Sequence, residues 1–246
     1  MILVMVLTAA VILTAAGEGM IPITLSTQGV QTENEGIRID GQTVTITQPG
    51  EYLVDGTLDN GQILVDCQEN GKVTLYLNGV SIHNETGPAL LIGNCSPRAV
   101  VSLVEGKQNR LSNGKNLIFE EGDEPDGVIF TRSDLTLCGT GSLEIEAGAM
   151  NGISSKDDLR IEGGSLTVDV PNHGLKGKDC VEISGGEVTI RAGRDGIKST
   201  NKKDPSLGYI EITGGDIRIS CGDEAISFIS YCNISGGKMS MTIDQQ

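Results

Sequence analysis

Asp157 and Asp179 stand 22 residues apart, and so do Lys176 and Lys198. Each pair occupies matching places in a repeated turn. One residue before the turn's Gly (or Ala225) stand Asp126, Asn151, His173, Asp195 and Glu224. Two after it stand Ser154, Lys176, Lys198 and Ser227, and five after it Asp157, Asp179 and Asn201. If the repeat stacks on itself, such row-mates lie ~5 Å apart on adjacent strands. Stacked carboxylates repel unless something offsets them. A hard cation is one solution, and Ca²⁺ accepts about six to eight oxygen ligands from flexible loops. Asp157 with Asp179 is therefore one candidate calcium site. Asp195, Asp223 and Glu224 form a second, across a repeat boundary. The plain alternative is turn chemistry, because Asn and Asp bond their own backbone in tight turns, and Lys156 and Lys178 can neutralise the first pair locally. Lys176 and Lys198 invite an anion between them. Pairing with Asp179, Asp195 or another acid, or simple solvation, is the competing reading.

The elements that hold these residues are marked by Gly163-Gly164, Gly185-Gly186, Gly214-Gly215 and Gly236-Gly237, at steps of 22, 29 and 22. Ile161, Ile183, Ile212 and Ile234 stand two residues before the pairs. Leu166, Val188, Ile217 and Met239 stand three after. Polar residues alternate with them, which is the pattern of strands with one buried side. The seven extra residues of the long step fall in Ser199–Gly208. A repeat of about 22 residues with strand chemistry means stacked coils, none of which can bury its own face alone. The expected fold is all-β: a right-handed single-stranded parallel β-helix with about three short strands per coil. Propeller repeats run longer, and sandwiches do not keep one Gly–Gly register.

The remaining composition sets limits. With 246 residues the chain can build one sizeable core, and 34 glycines suit a turn at every corner. A net charge of −15 argues against nucleic acid and anionic membrane as partners, and against an acidic polymer unless cations mediate. There is no Trp, and only four Tyr and three Phe, so an aromatic platform must be small. Tyr209 and Tyr231, 22 apart, are expected to stack on adjacent coils, either as a ladder supporting the sheet or as a small platform. Six Cys without a CxxC give no metal site. They read as free buried thiols, with a Cys67–Cys95 bridge left open and Cys221 sharing a row with Val170 and Ala192. Residues 1–16 are almost wholly apolar and end in Thr14-Ala15-Ala16, like a secretory segment, although no basic residue precedes Arg38. That pattern predicts a secreted or cell-surface protein, or an uncleaved anchor. Residues 17–36 read as a linker and 37–246 as the β-helix, with a longer excursion over Asn109–Glu124 and a last coil that looks unfinished. A monomer is expected.

Several stretches carry a resemblance. They are Gln48–Val54 running into Gly56-Thr57-Leu58, Val73–Ile82 with Leu77-Asn78-Gly79-Val80-Ser81, and Leu103–Gly114. With them go Ser154–Leu159, Gly174–Asp179 and Asp195–Ser199. Together, over Ile37–Gln246, they resemble a bacterial family of exported carbohydrate-binding parallel β-helices with a pectate-lyase-like fold. The resemblance implies binding of plant cell-wall polysaccharide, polygalacturonate-like or cellulosic, with calcium as the cofactor. It implies no established catalysis, so no catalytic residue is assigned. His173 and Ala225 depart from the family's turn pattern. Lys176, Lys198, Arg194 and Lys202 are the expected polysaccharide contacts, since a uronate carboxylate would suit the lysine pair beside a bridging Ca²⁺. Asp157, Asp179, Asp195, Asp223 and Glu224 are the expected metal ligands. Two other functions compete. One is a calcium-dependent lyase with Lys176, Lys198 or Arg194 as base. The other is a structural or adhesive surface protein.

Overall fold

Period-two alternation between glycine turns dictates short strands, and short strands are what the chain forms. A computed structural model describes residues 19–27, 29–32, 34–119 and 125–244. Among these there is no helix; the strands form a 15-stranded and a 9-stranded sheet. Pairing is parallel throughout except between Ile37–Asp40 and Thr43–Ile46, and at an isolated bridge from Thr24 to Gln31.

Each repeat contributes three strands, and each strand pairs with its counterpart one repeat on. Asn151–Ser155, Leu175–Gly177, Ile197–Ser199 and Ile226–Ser227 lie side by side in the nine-stranded sheet. Asp158–Ile161, Cys180–Ile183, Tyr209–Ile212 and Cys232–Ile234 make a second row. Ser165–Val170, Glu187–Ala192, Asp216–Cys221 and Lys238–Ile243 make a third. The second and third rows belong to one sheet because the long strand Val73–Asn84 joins them. Its first half pairs with Arg98–Leu103 and its second half with Gln108–Asn113.

The predicted apolar row is present: Ile161 pairs with Ile183 and Ile183 with Ile212, and Ile183 has no exposed surface. The extra residues of the long step form the segment between Ile197–Ser199 and Tyr209–Ile212. The Gly pairs have a steric cause. Gly186 has φ +90°, and a Cβ there would stand 2.7 Å from the carbonyl oxygen of Gly164 one repeat below. Only Gly fits both the left-handed backbone and that approach.

Two sequence expectations change, and the reading of the cysteines is kept. The segment 17–36 contains a strand, Ile21–Leu25, paired with Gly50–Leu58, and it buries Ile23 and Leu25. Its alternation is short and interrupted by Pro22, which hid it. Asp126 is not a row-mate of Asn151: the repeat there is 24 residues long, so Gly127 faces Asn151. A one-residue slip of this kind sends a side chain to the opposite face. The cysteines are free thiols, Cys67 and Cys95 included, and Cys221 does sit in the row of Val170 and Ala192. The apolar 1–16 segment lies outside the described residues.

Candidate functional site

The outward row of the nine-stranded sheet runs Leu64, Leu91, Phe130, Ser154, Lys176, Lys198, Ser227 in register. Its neighbours on the strands, such as Ile129, Ile153, Leu175 and Ile197, fill the core. Lys176 and Lys198 are thus adjacent on a flat face, as their spacing predicted. Neither ammonium stands alone. Lys176 Nζ donates to Asp126 Oδ2 at 2.5 Å, and Ser154 Oγ donates to the other Asp126 oxygen at 2.7 Å. Lys198 Nζ donates to Asp195 Oδ2 at 2.5 Å. Burial opposes the charge on Asp126, but the hydrogen bond and charge of Lys176, with Ser154, hold its pKa below the ordinary carboxylate value.

One edge of this face is a ladder of side-chain acceptors. Asn151 Oδ1 accepts the backbone N–H of His173, His173 Nδ1 accepts that of Asp195, and Asp195 Oδ1 accepts that of Glu224. Asn151, His173 and Asp195 are all buried. Each turn acid or its substitute therefore caps the turn above it, which is why Asn, His and Asp interchange there. His173 can accept through Nδ1 only when neutral. Burial first, then the charges of Lys198, Arg194 and Lys176, pull its pKa down to about 4 against an opposing pull from Asp195. Asp195 itself is held below its usual value: burial raises it, but Lys198 and the Glu224 N–H outweigh that.

The opposite edge is acidic. The last side chain of the strand turns the corner by bonding backbone, as Thr131 Oγ1 does to the Ser133 carbonyl and Ser155 Oγ to the Asp157 N–H. That corner presents Asp157 and Asp179 one above the other, with Asp179 N–H donating to the Asp157 carbonyl. Asn201 Nδ2 donates to Asp179 Oδ1 at 2.5 Å, and Lys178 Nζ stands 3.3 Å from the same oxygen. Beside them, carboxylate oxygens of Asp134, Asp157 and Asp158 lie within 4.8 Å of one another. Arg160 serves two of these: its guanidinium is 2.5 Å from Asp158 and 3.5 Å from Asp134, and it also binds Glu182 at 2.8 Å. Among the described residues, the side chains facing the Asp157 carboxylate are acids. Burial, the contact with Asp179 and the charges of Asp134, Asp179 and Asp158 push its pKa up to about 6.

The site residues expected from sequence are therefore divided. Asp157 and Asp179 meet, and Lys176 meets Lys198. The carboxylates of Asp195, Asp223 and Glu224 do not converge as those of Asp134, Asp157 and Asp158 do. Asp195 is buried in the ladder, Glu224 is exposed, and Asp223 is exposed with Arg194 Nε 3.4 Å away. Lys202 is exposed in the segment after Ile197–Ser199. Sequence reasoning missed Asp134 and Asp158. Their signal was the residue before Leu135 and Leu159, which pair in register 24 residues apart. Tyr209 and Tyr231 stack with ring centroids 4.9 Å apart, and the Tyr209 hydroxyl donates to Glu182.

Parallel strands stacked repeat on repeat define the class: a repetitive all-β protein. The chain belongs to the family of carbohydrate-binding domain-containing proteins, whose model matches residues 40–246. A carbohydrate-binding domain-containing protein of Acetivibrio thermocellus is 33% identical over 157 residues, which are 63% of this chain and 54% of the relative. The chain thus spans about half the length of that relative. The solved structure of a polysaccharide lyase-like protein from C. thermocellum, a gadolinium derivative, is also similar. It has a TM-score of 0.80 and 34% identity over 92% of this chain and 97% of that one.

Proposed function

We propose that the three strand rows wind as a right-handed single-stranded parallel β-helix, and that the outer face of the nine-stranded sheet holds polysaccharide without cleaving it. The polymer is acidic, of the polygalacturonate type, and Ca²⁺ mediates its binding to a protein that carries −15 charges of its own. One observation carries the reading. A stacked carboxylate pair, Asp157 over Asp179, borders a face on which Lys176 and Lys198 lie in register. The residues present fit the ion in part. Asp157 and Asp179 offer hard oxygen donors, and among the described residues no base pairs with Asp157, whereas Arg160 already engages Asp134 and Asp158. Two carboxylates fall short of the six or more oxygens Ca²⁺ takes, so water and a sugar carboxylate would complete the shell. Lys176 and Lys198 supply hydrogen bonds to the polymer, with Arg194 and Lys202 at its margin. A cell-surface or secreted setting suits such a ligand.

Retention on a polygalacturonate gel tests this. The protein should be held in millimolar Ca²⁺ and released by chelator, and Asp157→Asn should weaken retention about tenfold or more, as loss of a charged ligand does. Retention that ignores both chelator and substitution would overturn the proposal.

A second reading is favoured by the polysaccharide lyase-like neighbour. A lyase needs a base free to take the proton α to the uronate carboxylate. Here the amines of Lys176 and Lys198 are both engaged by carboxylates. Unsaturated oligosaccharides released from polygalacturonate by purified protein would decide for the lyase.

A further inference from the structure

Cys67 and Cys95 stand on neighbouring strands, Gln62–Asn70 and Leu90–Ser96, and both are buried, at 3% and 5% exposure. The ladder between these strands is irregular at that point. Asp66 faces Asn94, and Asn70 faces Ser96. Between those pairs one strand has Cys67, Gln68 and Glu69, and the other has Cys95 alone. Three residues against one make a bulge, which bends a strand and re-aims its side chains. The two strands are clamped on either side of it. Asn94 Nδ2 donates to Asp66 Oδ1 at 2.5 Å, and the Gly71 N–H donates to the Ser96 carbonyl at 2.8 Å. The thiols themselves are weakly held. Cys67 Sγ donates to the Glu69 carbonyl at 3.4 Å, and Cys95 Sγ to the Arg98 carbonyl at 3.2 Å. The other four cysteines face no thiol. In register, Cys138 meets Ser102, Cys180 meets Asp158 and Tyr209, Cys221 meets Ala192 and Ile243, and Cys232 meets Ile210.

We propose that Cys67 and Cys95 form a disulfide when the chain folds in an oxidising setting, and that this bond staples the first repeats together. Residues at facing places on adjacent strands have Cα atoms about 5 Å apart, inside the range of about 4.4–6.8 Å that disulfides span. Their Cβ atoms must close to about 4 Å. That is a shift of roughly 1 Å, which a bulge absorbs more readily than a regular ladder. Closing the bond removes two protons and two electrons, and a small-molecule disulfide takes them up. One thiolate attacks it and releases one thiol; the second thiolate resolves the mixed disulfide and releases the other. Burial pushes both thiols above their ordinary pKa, so they react slowly once the protein is folded. Exchange therefore belongs to folding, while these strands are still open. The two cysteines are 28 positions apart, so the bridge removes the freedom of a long loop from the unfolded chain. The inference is independent of the polysaccharide and of calcium.

The test refolds the full chain with and without a mixture of oxidised and reduced glutathione. With glutathione, four of the six thiols should still titrate in denaturant, and peptide mapping without reductant should join the segments carrying Cys67 and Cys95. That form should melt about 5 °C or more above the reduced one, the size expected for closing a loop of this length, and reductant should abolish the difference. Cys67→Ala and Cys95→Ala should each melt alike under both conditions. Six titratable thiols after oxidative refolding, or a bridge joining any other pair, would overturn the proposal. So would a Cys67–Cys95 bridge that leaves the melting temperature unchanged or lower, since the bond would then be no staple. If either variant fails to fold, the peptide map and melting of the parent still decide.

Discussion

His173 and Asp157 sit on opposite edges of the sheet and respond to pH in opposite directions. The folded-state pKa of His173, about 4, lies below its ordinary value of 6.5. Its neutral ring therefore stabilises the native protein fully above pH 6.5, and that contribution is lost as pH falls towards 4. On the order of 3 kcal/mol is at stake for a shift of this size in a buried group. Asp157 has a folded-state pKa of about 6, above its ordinary 3.8. Its contribution is complete below pH 3.8 and is lost as pH rises through 6. The two partly cancel in the wild type. Replacing His173 by Asn, which serves as the acceptor one repeat below at Asn151, should remove the first effect and keep the hydrogen bond. Chemical unfolding of His173→Asn between pH 4 and 7 should then show stability falling with pH where the parent is flatter. A parent-like profile would show that His173 does not titrate in this window.

At the level of the strand, the repeat made most of the fold legible. The Gly pairs and the isoleucines two residues before them placed three rows correctly, because a period of two permits one inward set once the turns are fixed. The charge Ile183→Asp would introduce has no partner between Ile161 and Ile212. Loss of several kcal/mol and of cooperative melting is expected, and a soluble variant melting like the parent would refute the row. What the repeat did not show has physical causes. Ile21–Leu25 has too few alternations to stand out. The 24-residue repeat around Asp134 shifts register by two, so the ruler of 22 missed Asp134 and Asp158. The fate of the lysines was also hidden: their spacing showed that they meet, but the long side chains reach Asp126 and Asp195 across the turn, which spacing alone does not specify.

For the whole molecule, an excess of 15 negative charges repels itself and leaves the acidic edge short of counterions. Millimolar Ca²⁺ should raise the melting temperature by about 5 °C, the size expected for a ligand well above its dissociation constant. NaCl of equal ionic strength should do less, because screening acts on every exposed charge alike. The Ca²⁺ effect should be larger at pH 7.5 than at pH 5, where Asp157 is protonated, and absent in Asp157→Asn. Equal shifts with both salts would reduce it to screening.

Parallel strands stacked one repeat above another also determine how the molecule yields to force. Backbone hydrogen bonds between repeats point along the stack, from Lys238–Ile243 down through Asp216–Cys221 and Glu187–Ala192. Tension applied at the C-terminal end loads those bonds a few at a time, like tape lifted from a roll. Each repeat of 22 residues would release a further ~75 Å of chain at about 3.4 Å per residue. Single-molecule stretching should therefore give a sawtooth with that spacing and one longer tooth where the step is 29 residues. A domain of this architecture anchored to a polymer would shed load by lengthening, repeat by repeat, before its grip elsewhere on the sheet is lost.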